Sequence, residues 1–322
     1  MMHETDKFTF LLLEDFSLLA FASAIEPLRI ANLVSDRLLY AWSLAAENGT
    51  SARCSNNSVT LVDQGLETVD RGDRLFIVSG INVQAHVSDA VCGYLRGQAR
   101  RGVQLGAICS GAYVLAKAGL LDGVPCAIHW EFHDGFSESF PNIPLRKSVF
   151  VADQKIVTAS GGAASADMML HLIAQKHGSE LAFEVANQMV YNAVRPETAE
   201  QKISFQSRHG MRNEKLARAV KLMEENIEEP LAPVLVAQKL GITVRQLERL
   251  FGRYMNCSPK KFYVDMRLQK ARNLLMQTEG SITEISVACG FNSTAHFTKA
   301  FKTQFGAPPG AYRSFGHGTH GV

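Results

Sequence analysis

The chain has 322 residues, of which 46% are hydrophobic, so it is long enough for two globular domains. Its formal net charge of +2 is uneven, because residues 211–315 carry 16 Lys and Arg against 9 Asp and Glu, and the rest is net negative. The six cysteines form no CxxC pair and have no histidine at ligand spacing, which argues against a disulfide scaffold, a metal site or a cofactor, and favours a reducing cytoplasm.

Residues 1–195 alternate apolar runs with helical segments, which predicts an α/β domain with a flavodoxin-like, doubly wound parallel sheet. The predicted strands are Phe8–Leu13, Ala41–Ala46, Leu75–Ser79, Val103–Ile108, Ala127–His129 and Ile156–Ala159. The predicted helices are Leu18–Val34, Val83–Arg101, Gly111–Ala118, Glu131–Phe140, Ala163–His177 and Glu180–Tyr191. Ligands of such sheets bind at the carboxyl ends of the strands. No stretch is predicted to span a membrane.

Residues 196–212 are polar and contain a proline, which predicts a linker. The pattern of residues 213–315 is wholly helical, which predicts an all-α domain, and residues 316–322 are expected to be a disordered tail. The helices predicted outside the second motif described below are Asn213–Asn226, Pro233–Leu240, Val244–Tyr254 and Lys260–Gln277. The segment from Gly306 to Pro309 cannot continue a helix and is predicted to close the domain.

One pattern occurs twice in the helical domain: a short helix, a turn with a glycine, a capping Thr or Ser, and an amphipathic helix. The first copy runs from Leu235 to Phe251, and the second runs from Ile282 to Phe301. This is the sequence form of a helix-turn-helix. The plainer interpretation is a solvated cationic face with Glu248 as a salt-bridge partner, but two copies in a basic domain predict binding to a double-stranded DNA operator.

The second helix of each copy is predicted to read DNA. Leu247 and Phe251 fall at core spacing in the first copy, as Phe297 and Phe301 do in the second. The predicted DNA contacts are Thr243, Arg245, Glu248, Arg249, Ser293, Thr294, Ala295, His296 and Lys299. Arginine can pair with guanine, glutamate can accept from cytosine, and amides beside a helix cap suit a phosphate. We expect the first helix to carry more base readout and the second more phosphate or shape contact.

The helical domain resembles the AraC/XylS class of bacterial transcription regulators from Asn213 to Arg313. The residues that carry this resemblance are Ala288-Cys289-Gly290-Phe291, Phe297, Phe301-Lys302, Phe305-Gly306, Pro308-Pro309 and Tyr312-Arg313. The resemblance implies a bipartite module whose two recognition helices enter successive major-groove segments on one face of DNA.

A nucleophile-elbow pattern lies in the first domain, where the strand ending at Ile108 leads into Cys109, Ser110 and a helix. Such a turn exposes a thiol to the crevice and lowers its pKa. His129 and Trp130 follow another short strand, and the backbone amides of residues 78–81 could join the Ser110 N–H as oxyanion-type donors. The plainer interpretations are that Cys109 is a tight packing point and His129 a core histidine.

Residues 7–190 resemble the PfpI-like branch of the class I glutamine amidotransferase superfamily. With Phe16-Ser17-Leu18, Ala24 to Arg29, Ala31-Asn32, His129-Trp130-Glu131, Ser160-Gly161-Gly162 and Asp167 to Leu170, the chain looks like regulators of glycine betaine, carnitine or arginine catabolism. The resemblance implies a cytoplasmic sensor that binds a small nitrogen-containing metabolite and activates transcription, dimerises through its N-terminal domain and works with RNA polymerase.

Hydrolytic relatives place an acid early in the chain, and the matching position here is Ala20. We therefore expect no enzymatic activity, with Cys109 and His129 as vestiges of a catalytic set. The predicted ligand-binding residues are Phe16, Glu26, Gly80, Ile81, Cys109, Ser110, His129 and Trp130. Glu26 could equally be a salt-bridge partner, and Asp167 is expected to cap or pair within its helix. The alternatives are a cysteine-dependent amidase or hydrolase with a DNA-targeting tail, and a regulator that senses thiol oxidation.

Overall fold

The computed structural model describes residues 5–152, 156–201 and 214–316, and the chain divides into two compact units between residues 201 and 202. The linker was predicted to begin at residue 196, whereas residues 196–201 belong to the first unit. The rest of the predicted linker, residues 202–212, lies outside the described residues, as does the predicted tail beyond residue 316.

Strands and helices alternate in the first unit. Its described strands are β1 (Asp6–Leu12), β2 (Tyr40–Ala45), β3 (Ser51–Arg53), β4 (Val59–Leu61), β5 (Arg74–Val78), β6 (Gln104–Ile108), β7 (Cys126–Ala127), β8 (Leu145–Arg146), β9 (Phe150–Ala152) and β10 (Ile156–Ala159). Its described helices are α1 (Leu18–Ser35), α2 (Val83–His86), α3 (Asp89–Arg101), α4 (Gly111–Lys117), the 3₁₀ helix Trp130–Phe132, α5 (His133–Ser139), α6 (Ala164–His177) and α7 (Ser179–Gln188).

The main sheet has six strands in the order β2-β1-β5-β6-β10-β9. Neighbouring strands are parallel except β9, which runs antiparallel to β10, so the predicted all-parallel sheet is in fact mixed. Apolar side chains of α1, α6 and α7 cover one face, and those of α2, α3 and α4 cover the other. Both faces are therefore buried, which confirms the doubly wound arrangement and explains the nearly continuous apolar strands.

Two predicted elements of the first unit are wrong in detail. The helix predicted from Val83 to Arg101 is broken at Val87, which is extended, and Ser88 starts α3 by accepting a hydrogen bond from the Val91 N–H at 3.1 Å. The strand predicted from Ala127 to His129 ends at Ala127 and pairs with β8 outside the main sheet. Strands β3, β4, β8 and β9 escaped prediction because each has at most three residues.

Helix α1 corrects the prediction that no stretch could span a membrane, since its length and composition pass that test. In the structure it packs on α6 and α7, and Ala20, Phe21, Ala24 and Leu28 belong to the buried core. Its apolar composition is thus accounted for by the core that it helps to form.

The second unit is helical throughout its described residues. The helices are α8 (Glu214–Glu224), α9 (Pro233–Lys239), α10 (Val244–Met255), α11 (Pro259–Gln277), α12 (Ile282–Ala288), α13 (Thr294–Phe305) and α14 (Pro309–Gly316). Helix α14 was not predicted, because Gly306 and the prolines that end α13 were taken to close the domain; Pro309 in fact stands in the first turn of a new helix. Each helix-turn-helix has its own apolar core.

Helix α11 joins these two cores. Tyr263 lies in the first core, and its hydroxyl donates to the Asn226 carbonyl. One turn later, Arg267 donates from Nε to the Cys289 carbonyl at 2.7 Å and lies with its Cζ 4.2 Å from the ring centre of Phe291. Helix α11 therefore contacts the first core through Tyr263 and the second motif through Arg267.

A glycine turn brings the second motif into contact with the segment between α8 and α9. Gly290 has a φ of +72°, and a Cβ at this position would lie 2.4 Å from the Ile227 carbonyl oxygen. Only glycine combines this backbone conformation with such a close approach. The spacing between the recognition helices is therefore a property of the folded unit, set by α11 and by this contact.

We predict that Arg267→Met destabilises the second unit by about 2–3 kcal/mol, because the Cys289 and Gly290 carbonyls lose a charged donor. Calorimetry of the full chain measures this as a lower melting temperature of that unit's transition. Arg218→Met is the matched control, since Arg218 is exposed on α8. Equal melting temperatures for the two variants would show that the hydrogen bonds of Arg267 do not stabilise the second unit.

Candidate nucleic-acid interface and cysteine elbow

Helix α10 presents the first set of predicted DNA contacts. Thr243 and Gln246 form a capping box, in which the Gln246 N–H donates to Thr243 Oγ1 at 3.2 Å and the Thr243 N–H donates to Gln246 Oε1 at 2.9 Å. Leu247 and Phe251 are fully buried. This orientation leaves the remaining face of the helix in solvent, and its predicted contacts are exposed, namely Arg245, Glu248 and Arg249.

The charged side chains on this face are available for DNA. Within the described part of the chain, Arg245, Glu248 and Arg249 make no ion pair with one another or with other residues. The plainer interpretation gave Glu248 the role of a salt-bridge partner, and the structure does not place it in that role. Both guanidinium groups thus keep their donors directed to solvent, as a base or phosphate contact requires.

Helix α13 presents the second set. Ser293 caps it by accepting from the His296 N–H at 3.4 Å, and Phe297 and Phe301 are buried. Ala295, His296 and Lys299 are exposed. The second recognition helix therefore has the predicted orientation.

Two residues of this second set have neighbours that the sequence did not reveal. Thr294 is half-buried, with its hydroxyl 3.4 Å from that of Ser286. The ring centre of His296 lies 5.9 Å from that of Phe291 with the two rings tilted, and His296 and Lys299 line a groove of about 320 Å³ against α11. The predicted contacts on α13 thus carry one lysine and an imidazole, whereas those on α10 carry two arginines and a glutamate.

In the first unit, the cysteine elbow forms where predicted. Cys109 lies between β6 and α4 with a φ of +62°, a left-handed conformation that non-glycine residues rarely adopt. Its N–H donates to the Ala159 carbonyl at 2.9 Å, and its carbonyl accepts from the His129 N–H at 3.2 Å. Two backbone hydrogen bonds, one to each neighbouring segment, therefore hold the strained residue in place.

The thiol of Cys109 is enclosed and protonated. Cys109 is 8% exposed, and a Cβ on Gly161, whose φ is +88°, would lie 2.7 Å from the Cys109 Cβ. Burial raises the pKa of the thiol to about 12; the Ser110 N–H lowers it, but by less than burial raises it, and Glu131 raises it further. The predicted lowering of this pKa is therefore wrong, because desolvation outweighs the helix terminus.

His129 and Trp130 lie beside the elbow. His129 Nδ1 accepts from the Glu131 N–H at 3.4 Å and so caps the 3₁₀ helix, while its ring lies 5.4 Å from that of Trp130. Trp130 is 37% exposed. Of the two aromatic side chains predicted to meet a ligand, Trp130 is thus the one whose ring reaches solvent.

One of the predicted oxyanion donors, the Ser79 amide, is engaged within the fold. The Ser79 N–H donates to the Ile108 carbonyl at 3.4 Å, and Ser110 Oγ donates to the Gly80 carbonyl at 2.5 Å. Ile81, next to them, is 40% exposed. The segment therefore braces the elbow, and its Ser79 amide is not directed at a reacting group.

Two side chains have other roles than expected, and a third takes one of the two roles expected for it. Phe16 is fully buried and meets Phe21 edge to face, so its ring cannot cover a ligand. Glu26 forms an ion pair with Arg29 at 2.6 Å on the surface of α1. Asp167 is buried and pairs with Tyr191 and Arg195, outside its own helix.

A second cluster at the carboxyl ends of β1 and β5 was missed. Asp15 accepts from Asn82 Nδ2 at 3.2 Å and pairs with His86 Nε2 at 2.9 Å. A cleft of about 390 Å³ beside it is lined by Glu14, Glu47 and His86, among other residues. The signal in the sequence was an acidic pair directly after an apolar strand. The described residues contain no cluster of three or more side chains fit to hold a metal ion.

Comparison with known proteins agrees with both units. A model of the DJ-1/PfpI family matches residues 7–175, and a model described as a helix-turn-helix domain matches residues 236–314. The HTH-type transcriptional regulator GbdR of Pseudomonas aeruginosa is 41% identical over 300 residues, covering 93% of this chain and 82% of that protein. The regulator CdhR of the same species is 41% identical over 307 residues, covering 95% and 91%.

Among solved structures, an AraC family transcriptional regulator from Pseudomonas putida shares the fold, with a TM-score of 0.51 at 24% identity over 57% of this chain and 99% of that chain. An α/β domain with a PfpI-type elbow and a domain with two helix-turn-helix motifs together define a DNA-binding transcription regulator. The chain belongs to the HTH-type regulators that combine an AraC-type DNA-binding domain with an N-terminal domain of the DJ-1/PfpI family.

We predict that Cys109 resists alkylation near neutral pH, because the thiolate is the reactive form and the pKa is about 12. Site-resolved mass spectrometry after iodoacetamide treatment should show its rate rising only above pH 9, whereas the urea-unfolded chain reacts at lower pH. Above the ordinary thiol pKa of 9.0 the unfolded chain loses a proton that the folded chain keeps, so this group lowers the free energy of unfolding as pH rises toward 12. Equal rates in folded and unfolded protein at neutral pH would refute the assignment.

Proposed function

We propose that this regulator is a one-component switch, in which the N-terminal domain binds a small nitrogen-containing metabolite such as a betaine, carnitine or an amino acid. Binding controls how the helix-turn-helix domain occupies its operator, and the protein acts as a transcription activator. The single observation that carries the proposal is the Cys109 elbow, which the fold keeps at the ligand-binding edge of the sheet although burial holds its thiol protonated.

The elbow supports a binding role better than catalysis or oxidation sensing. Nucleophilic attack and peroxide oxidation both need a thiolate, and the raised pKa of Cys109 disfavours it near neutral pH. Position 20, where hydrolytic relatives have an acid, is an alanine with no exposed surface. We therefore propose that the protein is not an enzyme and that Cys109 and His129 line a pocket.

The chemistry around the elbow suits a cationic nitrogen compound. The half-exposed ring of Trp130 can stack on a quaternary ammonium group, and Glu131 follows it directly. We propose that Gly80, Ile81 and Ser110 shape the same pocket from the opposite strand end. Phe16 and Glu26 are not included, because the first is buried and the second is paired with Arg29.

We also propose a cytoplasmic homodimer that acts with RNA polymerase. Support for self-association comes from apolar side chains left in solvent on two helices that pack together, namely Leu19 and Leu33 on α1 and Phe183 on α7, each more than half exposed. Such a surface suits the symmetric pairing of two N-terminal domains.

We predict that at least one compound in a panel of glycine betaine, carnitine, choline, dimethylglycine and arginine raises the melting temperature of the full chain. A ligand at a hundred times its Kd stabilises the folded state by about 2.7 kcal/mol. Trp130→Ala should abolish the shift, while Trp42→Phe, a conservative change away from the elbow, should keep it. A panel without any shift would remove the metabolite assignment.

We predict that Arg249→Ala weakens binding to a duplex selected by the protein from random sequences by about 1–3 kcal/mol, with a smaller effect on unselected DNA. The reason is that Arg249 is exposed and unpaired on α10. Gel-shift titrations at one salt concentration measure both affinities, and Arg218→Ala serves as the control. Equal losses on the two DNAs would make Arg249 a phosphate contact.

A further inference from the structure

The last described residues of the N-terminal domain, 195–201, form a strap along β9. The Val149 N–H donates to the Ala199 carbonyl at 2.8 Å, and the Gln201 N–H donates to the Lys147 carbonyl at 3.2 Å. Glu197 Oε1 accepts from the Ala152 N–H at 3.2 Å. Because β9 is the edge of the six-stranded sheet, the strap satisfies backbone groups that the edge would otherwise expose.

The first end of the strap is attached to Asp167. This carboxylate is 1% exposed and accepts from the Arg195 N–H at 2.8 Å, from Arg195 Nε at 2.9 Å and from the Tyr191 hydroxyl at 2.9 Å. Asp167 lies in the first turn of α6. Gly161, just before that helix, packs against Cys109. The first anchor, Asp167, therefore lies a few residues after Gly161, the glycine that contacts Cys109.

The second end is attached beside His129. Gln201 Nε2 donates to the Ile128 carbonyl at 2.9 Å and to the Ser148 carbonyl at 2.9 Å. Ile128 precedes His129, whose N–H donates to the Cys109 carbonyl. The second anchor is thus also connected to the elbow, through a different segment.

Gln201 is held in an arrangement that can be released. Its Oε1 is buried and has no hydrogen-bond partner among the described residues, while its Nε2 makes both anchoring bonds. A buried acceptor without a partner costs free energy that is recovered when water reaches it. The unpaired Gln201 Oε1 therefore offsets part of the stabilisation that the two Nε2 hydrogen bonds give to the attached state.

We propose that the strap couples the pocket to the DNA-binding domain by changing between an attached and a released state. This inference rests on the proposed function, because it takes the Cys109 pocket as the effector site. An effector that displaces Cys109 from its contacts with Gly161 and His129 alters both anchors, and so shifts the strap between its two states. In sequence the strap leads directly toward the helices of the second unit.

The test compares Gln201→Leu, which removes the Nε2 donor of both anchoring bonds, and Glu197→Ala, which removes the half-buried bond to the Ala152 N–H, with Gln188→Leu, an exposed control at the end of α7. All variants are full-length and no metabolite is added. Hydrogen–deuterium exchange is followed in peptides covering 126–133 and 195–201, and operator affinity is measured on the selected duplex. Glu197→Ala keeps the test decisive if Gln201→Leu fails to fold.

We expect both strap variants to exchange faster in residues 195–201 and also in residues 126–133, and to change operator affinity by about fivefold or more. The control should match the wild type in every measurement. Faster exchange confined to residues 195–201, or an unchanged operator affinity in the strap variants, would overturn the coupling role. Failure of the metabolite panel would instead reject the proposed function, since this test contains no metabolite.

Discussion

The left-handed backbone at Cys109 is the constraint on which the N-terminal domain depends. A non-glycine residue keeps a φ of +62° only where its surroundings hold it, and here Ala159 and His129 do so by hydrogen bonds while Gly161 closes over the side chain. Three segments that are distant in sequence thus meet at one residue. A displacement of Cys109 is therefore transmitted to β10, the His129 segment and the start of α6.

The same enclosure explains how a fold shared with enzymes can serve a regulator. An elbow of this kind is reactive when a helix terminus and nearby cations stabilise the thiolate. Around Cys109, burial acts in the opposite direction, and Glu131 adds a negative charge to it. The geometry of the elbow remains, and the thiol stays neutral. A neutral, enclosed thiol is what the proposed binding role requires, because a metabolite held beside it would not be consumed.

Much of this structure could be predicted from local patterns. The caps at Thr243 and Ser293, and the buried pair Phe297 and Phe301, depend on neighbours within one helical turn or two, and both recognition helices lie as expected. What could not be predicted depends on partners far along the chain. Burial of Phe16, the pairing of Asp167 with Arg195 and the antiparallel β9 each follow from contacts that no short window contains.

The pKa of Cys109 is the clearest example of a property that a local sequence pattern does not predict. The motif indicates the turn correctly, because the turn is local, yet it gives the wrong direction for the pKa, because the burial that raises it includes contacts with segments distant in sequence such as Gly161, about fifty residues away. The strap extends this argument. Its anchors, Asp167 and Ile128, are distant in sequence, and each lies within a few residues of a segment that contacts Cys109. The contacts of Gln201, which belongs to no motif, are therefore visible only in the folded domain.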